Sequence, residues 1–228
     1  MNYIRIICTV AFGTLAAFTI VAVDASAESL LCTKDANHQN GEACTGTHGY
    51  HLAGNALLSA QLIPGTKLLL TTTNASGGIA RTLECSKSAI GGTVVNGTAG
   101  SGNVESLTIT ECSSSGCTNV SMKTPAMGKS NVWPFSLTTT SPGESDTNGI
   151  VDVEHVSIVF TATCLFITAG CEWEASSAAF HLAGGAPATL RIESMPLTKL
   201  AGAEAFCGSK ADLNMRYQVS TPNSLFVL

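Results

Sequence analysis

Cysteines constrain the fold of this 228-residue chain more than any other feature, because eight of the nine lie beyond an apolar leader. An even set predicts up to four disulfides formed in an oxidising compartment. With every thiol oxidised, neither a cysteine nucleophile nor a thiolate zinc site is expected. The eight disulfide candidates are Cys32, Cys44, Cys85, Cys112, Cys117, Cys164, Cys171 and Cys207.

The first 27 residues have the three parts of a secretory signal peptide. A positive charge at Arg5 precedes the mainly apolar run 6–23, and the small residues Ala25-Ser26-Ala27 follow it. This order predicts cleavage after Ala27 and a secreted protein, either extracellular or at the cell surface. The alternative is an uncleaved anchor, because the run approaches the lower length limit of a membrane span. We expect no membrane span after cleavage.

Short segments with strand-like alternation and frequent turn signals predict an all-β fold. In residues 104–111, Leu107 and Ile109 share one face, and residues 150–156 alternate in the same way. Glycine-rich and proline-containing turns separate such segments, and no stretch has a sustained helical period. The sequence therefore predicts antiparallel pairing in a sandwich or barrel, and we favour a disulfide-stapled β-sandwich, immunoglobulin-like or jelly-roll-like. One or two helical turns are also compatible with residues 197–206.

An internal echo suggests two related β units. Residues 50–56 resemble residues 180–186, and residues 63–68 resemble residues 195–200. Two cysteines precede each copy and one follows it. The echo predicts a first β unit over 28–140 and a second over 141–228, which can pack as one domain. The alternative is chance similarity in a chain rich in Thr, Ala and Gly.

A disulfide map follows from two arguments. Local loops are the cheapest to close, which favours pairing of cysteines that flank short turns, such as a six-residue hairpin loop over 165–170. The two cysteines left over hold equivalent places in the echo and would join its halves. The predicted pairs are Cys32–Cys44, Cys112–Cys117, Cys164–Cys171 and Cys85–Cys207.

Several segments, spread over nearly the whole mature chain, carry a resemblance. They begin with Leu31-Cys32, Gly65-Thr66-Lys67, Glu84-Cys85-Ser86-Lys87-Ser88 and residues 107–112, and continue with Trp133-Pro134, residues 184–189 and residues 217–227. On these segments the chain resembles a paralogue-rich group of secreted actinobacterial proteins of unknown function. The resemblance implies export and a shared fold. It implies no activity, since the group has none assigned.

The charge balance limits the partners. The net charge is −5, and only 12% of the residues are charged. Nucleic acids and anionic membranes need clustered Lys and Arg, so neither is expected as a partner. The partner is unknown on this basis, with a cell-surface protein or a glycan as candidates.

Histidines offer a weak metal hypothesis. His48 and His51 are three residues apart, with Asp35 and Glu42 nearby in sequence. A glycine between the two histidines leaves a metal site there poorly preorganised. The favoured interpretation is therefore that both are polar loop residues without a metal. His155 and His181 lie in apolar strand segments and are expected to be partly buried and hydrogen-bonded.

Paired carboxylates offer a weak catalytic hypothesis. Glu172 and Glu174 flank Trp173, and two carboxylates beside an aromatic ring are typical of glycosidase sites. The favoured interpretation is a solvated strand face with the indole turned into the core. A Gly-x-Ser-x-Gly nucleophile elbow is absent from the sequence.

The sequence therefore predicts a secreted, non-enzymatic β-sandwich protein that is structural or binds a partner at the cell surface. It predicts no catalytic residue, no metal and no cofactor. The alternative is a secreted hydrolase whose site is assembled from residues distant in sequence.

Overall fold

The fold was analysed in a computed structural model that describes residues 29–44, 48–96, 100–123, 132–139, 148–202 and 204–228. The predicted signal peptide lies outside these residues. Within them the chain forms fourteen β-strands and one four-residue helix. The elements are β1 (Leu31–Thr33), β2 (Gln39–Ala43), β3 (Tyr50–Leu52), β4 (Leu57–Leu62), β5 (Leu68–Thr73), β6 (Ile79–Asn96), β7 (Ser101–Ser114), β8 (Cys117–Lys123), β9 (Trp133–Thr139), β10 (Asn148–Cys164), β11 (Ile167–Ala183), β12 (Thr189–Ala201), α1 (Glu204–Cys207), β13 (Lys210–Thr221) and β14 (Phe226–Val227).

The larger sheet is antiparallel and closes on itself. Its strands follow the order β11-β12-β13-β4-β6-β7-β9-β10, and β10 pairs with β11 to complete the circuit. β5 extends the line of β4 between β13 and β6, and β8 extends the line of β9 beside β10. Opposite parts of this circuit share one hydrophobic core. The fold is therefore all-β and sandwich-like, as the alternating segments predict.

Strand alternation builds the core. In β13 every second residue from Ala211 to Val219 is buried, and the residues between them are half-buried or exposed. The largest fully buried side chains include Trp173, Tyr217 and Phe160, and the rings of Phe160 and Trp173 stack at 5.2 Å. Burial of each such side chain stabilises the fold by about 1.5–3 kcal/mol.

A smaller sheet, in the order β14-β1-β3-β2, packs at the end of the larger sheet where β10 begins and β11 ends. Leu31 and Leu225 belong to the core of the larger sheet, and Leu225 pairs with Gly185 just beyond β11. The Thr33 hydroxyl donates a hydrogen bond of 2.8 Å to the Ser224 carbonyl. The smaller sheet therefore covers one end of the core, far from the turn between β10 and β11.

The disulfides correct most of the predicted map. The structure contains the predicted pair Cys32–Cys44. The predicted pairs Cys112–Cys117, Cys164–Cys171 and Cys85–Cys207 are wrong. The pairs observed in their place are Cys85–Cys112, Cys117–Cys164 and Cys171–Cys207. Four disulfides are compatible with an oxidising, extracellular environment.

Sheet register explains the correction. Cys85 lies directly opposite Cys112 on neighbouring strands, and Cys117 lies directly opposite Cys164. Residues 165 and 166 form a hairpin turn that the pairing of β10 with β11 already closes, and residues 115 and 116 form the turn between β7 and β8. Cys85–Cys112 joins the two strands of the β6–β7 hairpin away from its turn, Cys117–Cys164 joins β8 to β10, and Cys171–Cys207 joins β11 to α1. Each disulfide closes a separate loop along the chain without overlapping the next.

The two copies of the echo occupy different structural contexts. His51 lies in β3 of the smaller sheet, whereas His181 lies in the long strand β11. Strands from both proposed units pair in the larger sheet, because β13 pairs with β4 and β5. The division at residue 140 stays a prediction.

Helical structure is minimal. β12 extends to Ala201, so only the last part of the candidate segment 197–206 enters the single turn α1. In the part of the chain that the structure describes, no helix has the length and apolar character needed to cross a membrane.

Candidate functional site

The candidate metal residues do not converge. His51 Nδ1 lies 3.3 Å from Glu42 Oε2, whereas the His48 ring packs against Phe226 with ring centroids 5.3 Å apart. His38, which the sequence did not single out, lies with Nδ1 3.1 Å from Asp35 Oδ2. Across the described ranges, no group of three or more His, Cys, Asp or Glu side chains could hold a metal ion. The histidines are thus divided among separate contacts.

Asp35 has a structural role near these histidines. The backbone N–H of Asn37 donates to Asp35 Oδ1 at 3.1 Å, and that of Asn223 donates to Oδ2 at 3.3 Å. These bonds, led by the one from Asn37, hold the pKa of the Asp35 carboxyl below its usual range. The carboxylate therefore ties the turn after β1 to the segment that precedes β14.

The carboxylate pair on β11 has the geometry of a solvated strand face. Trp173 is fully buried in the core, while Glu172 is half-buried and Glu174 is exposed. The indole therefore forms no aromatic platform beside the carboxylates. Nothing in this arrangement favours the glycosidase hypothesis.

The expected partial burial of His155 and His181 is wrong, since both side chains are exposed. His155 adopts a left-handed backbone with φ of 56°, and the buried positions of β10 change phase there, from Val153 to Val156. His181 lies between the buried Phe180 and Leu182 on β11, so alternation turns it outward.

An apolar cavity of about 70 Å³ lies inside the larger sheet. It is lined mainly by aliphatic and aromatic side chains, among them Ala60, Phe135, Phe180 and Val219, and no polar atom faces it. An apolar cavity of about 150 Å³ binds benzene, and this space has about half that volume. This space is a packing vacancy rather than a site for a large ligand.

A shallow polar groove lies on the outer face between β5, β12 and β13. Its lining includes Lys67, Glu193, Asn214 and Arg216. Glu193 Oε1 lies 3.2 Å from Arg216 Nη2 and 3.4 Å from Arg191 Nη1, and Lys67 pairs with Glu84. Because these charges already have partners, the groove presents little unpaired charge to a ligand.

The turn between β10 and β11 is the most unusual surface feature. Cys164 pairs with Ile167, so Leu165 and Phe166 form a two-residue hairpin turn. Both have left-handed backbones, with φ of 50° and 68°. Such type I′ turns favour Asn and Gly, because a left-handed backbone brings Cβ of other residues close to the next carbonyl. We call residues 165–167 the apolar tip.

The apolar tip is almost entirely solvent-exposed. The exposed fraction is 82% for Leu165, 101% for Phe166 and 66% for Ile167. An adjacent hairpin, β7–β8, ends in Ser115 and Gly116, which is ordinary polar turn chemistry. The Cys117–Cys164 disulfide joins the two segments directly beside their turns. The two neighbouring turns therefore have similar lengths but differ in polarity, since one is apolar and the other is polar.

Sequence reasoning missed the apolar tip. It assigned residues 165–170 to a loop, whereas residues 167–170 belong to β11. The signal was present as three large apolar residues directly after a cysteine, without a glycine or asparagine among them. Only the structure, which places these residues at a hairpin turn, shows that their side chains face solvent.

Comparison with known proteins gives no family assignment. The chain matches no family model, and neither curated proteins nor solved structures show a significant similarity to it.

Proposed function

We propose that this protein is a secreted, non-catalytic β module that binds a partner at the cell surface through the apolar tip. Cleavage after Ala27, export and kinship with the secreted actinobacterial group belong to the same proposal. The observation that carries it is the exposure of Leu165, Phe166 and Ile167 on a left-handed turn. Both the exposure and the backbone are unfavourable in the free protein, which is typical of a site retained for function.

The scaffold supports a binding role. The tip continues a hairpin whose two strands pair along most of their length, and a disulfide at Cys164 braces the hairpin directly beside the turn. A contact surface on such a rigid element loses little conformational entropy when it binds. This favours partner binding over a purely structural role.

Secretion and cell retention test the proposal. The protein would be expressed in its native host, and its partition between cells and medium would be measured by immunoblot. The double variant Leu165→Asn/Phe166→Gly keeps a turn-compatible sequence while removing the apolar side chains. Leu57→Ser is the matched control, because Leu57 is 62% exposed and lies near the opposite end of the larger sheet.

We expect the tip variant to shift into the medium, with the cell-bound fraction reduced at least about tenfold, as expected when apolar contact area is lost. Leu57→Ser should partition as the wild type does. Equal retention of the tip variant and the wild type would contradict the proposed function.

A further inference from the structure

We infer that the apolar tip inserts into the headgroup region of a neutral, zwitterionic lipid surface. This inference rests on the proposed function and names the partner of the same tip. Its basis is the combination of an apolar turn, a charge-free stem and an acidic protein.

The stem below the tip carries hydroxyl groups instead of charges. Residues 161–170 of the β10–β11 hairpin contain no Asp, Glu, Lys or Arg, and neither do residues 112–122 of the neighbouring hairpin. The Thr163 and Thr168 hydroxyls lie 2.8 Å apart, and those of Ser121 and Thr161 lie 2.7 Å apart. Hydroxyls can bond to lipid headgroups, whereas charges would need costly desolvation at that depth.

The length of the charge-free stem matches the depth of the interface. From the Cys164–Ile167 pair to the Thr161–Gly170 pair the hairpin advances three residues. At the usual strand rise this is about 10 Å. Proteins that lie at a membrane surface bury apolar groups about 5–10 Å into the boundary between headgroups and acyl chains. The hairpin itself therefore carries no charge over the depth that its tip would occupy.

The size of the tip disfavours a protein partner. Three side chains cannot supply the roughly 800 Å² that each partner buries in a standard protein interface. A lipid surface needs no complementary pocket, so a small apolar turn can insert into it. The small area of the tip also disfavours a second copy of the chain as the occupant.

The charge of the protein disfavours anionic lipid. The net charge is −5, and the stem offers no Lys or Arg to attract an acidic headgroup. Binding is then carried by the apolar side chains alone. Binding through apolar side chains alone fits a zwitterionic lipid surface better than an acidic one.

Phosphatidylcholine vesicles are the probe. The Phe166→Trp variant places a new indole at the tip, while the native Trp133 and Trp173 are both buried. Its fluorescence would be recorded with plain vesicles and with vesicles whose acyl chains carry bromine, which quenches nearby indoles. Co-sedimentation with the same vesicles would compare the wild type, Leu165→Asn/Phe166→Gly and Leu57→Ser.

We expect a blue-shifted emission that brominated lipid quenches, and an at least tenfold lower vesicle-bound fraction for the tip variant only. No shift and no sedimentation with phosphatidylcholine vesicles would overturn the inference. If cell retention still depends on the tip in that case, the proposed function survives with a protein or glycan partner. If retention is also independent of the tip, both proposals fail.

Discussion

The hydroxyl groups of Ser88 and Tyr217 lie 2.7 Å apart inside the core and join β6 to β13. Tyr217 pairs with Leu62, the last residue of β4, and the pairing of β4 with β6 ends at Ala89, next to Ser88. Pairing of β5 with β6 begins only at Cys85. Ser88 also donates to the Thr108 carbonyl at 2.9 Å. The pair thus joins β6 to β13 at the point where β4 gives way to β5 between them, and Ser88 extends the link to β7.

Alkaline pH should expose the role of Tyr217. Burial raises its pKa to about 12, whereas an unfolded tyrosine ionises near 10. The stability due to this shift is therefore complete below about pH 10 and is lost as the pH rises toward 12. Urea unfolding of the wild type and Tyr217→Phe across this range should show a steeper loss for the wild type. Parallel pH profiles would contradict this account.

At neutral pH, Tyr217→Phe should lower the free energy of unfolding by about 1 kcal/mol, since one buried hydrogen bond is lost. Tyr50→Phe is the control, because Tyr50 is exposed and should change stability little. Thermal or urea unfolding at pH 7 would measure both.

The contribution of each disulfide to the free energy of unfolding should increase with the length of the loop that it closes. The Cys117–Cys164 and Cys32–Cys44 pairs are 47 and 12 residues apart in sequence, and their loops do not overlap. Chain entropy predicts that Cys117→Ser/Cys164→Ser lowers the free energy of unfolding by about 4 kcal/mol, about 1 kcal/mol more than Cys32→Ser/Cys44→Ser. Urea unfolding would compare the two variants.

Mapping of the disulfides checks the premise of that comparison. Stepwise partial reduction with alkylation would label the cysteines of each disulfide in turn. This assigns the partners of Cys112 and Cys117 separately, although the two residues lie close together in sequence. A Cys112–Cys117 or Cys85–Cys207 bond in the native protein would contradict the observed strand register.

The core cavity should accept added methyl groups. Ala60 lines the cavity, so Ala60→Val fills empty space and should stabilise the fold by about 1 kcal/mol. Ala178 is equally buried but does not line this cavity, so Ala178→Val should destabilise the fold by about 1–3 kcal/mol through overpacking. Thermal denaturation of both variants would test the contrast, and equal destabilisation would rule out usable space beside Ala60.

Local pattern was enough to predict the fold class but not the contacts between distant strands. Leu107 and Ile109 are both buried, as their alternation predicts. His155 was assigned to the wrong face because a left-handed backbone shifts the alternation, and no side-chain pattern marks that shift. The disulfide partners depend on strand register and on which segments lie side by side in the fold, and local sequence pattern specifies neither.

The candidate binding site could not be found from pattern alone for a related reason. Leu165, Phe166 and Ile167 are indistinguishable in sequence from a buried strand segment. These residues can be recognised as a candidate binding site only once the structure places them in a turn, where their side chains cannot be buried. Sequence rules expect Asn or Gly there, so the departure from the rule marks the site.

Stability and retention of Leu165→Asn/Phe166→Gly, measured on one preparation, test the central claim most directly. Relief of two left-handed backbones should raise the free energy of unfolding by about 1 kcal/mol or more. The account predicts this gain in urea unfolding together with loss of the cell-bound fraction. A variant that is more stable and still fully retained on cells would contradict the claim that the apolar tip is the binding site.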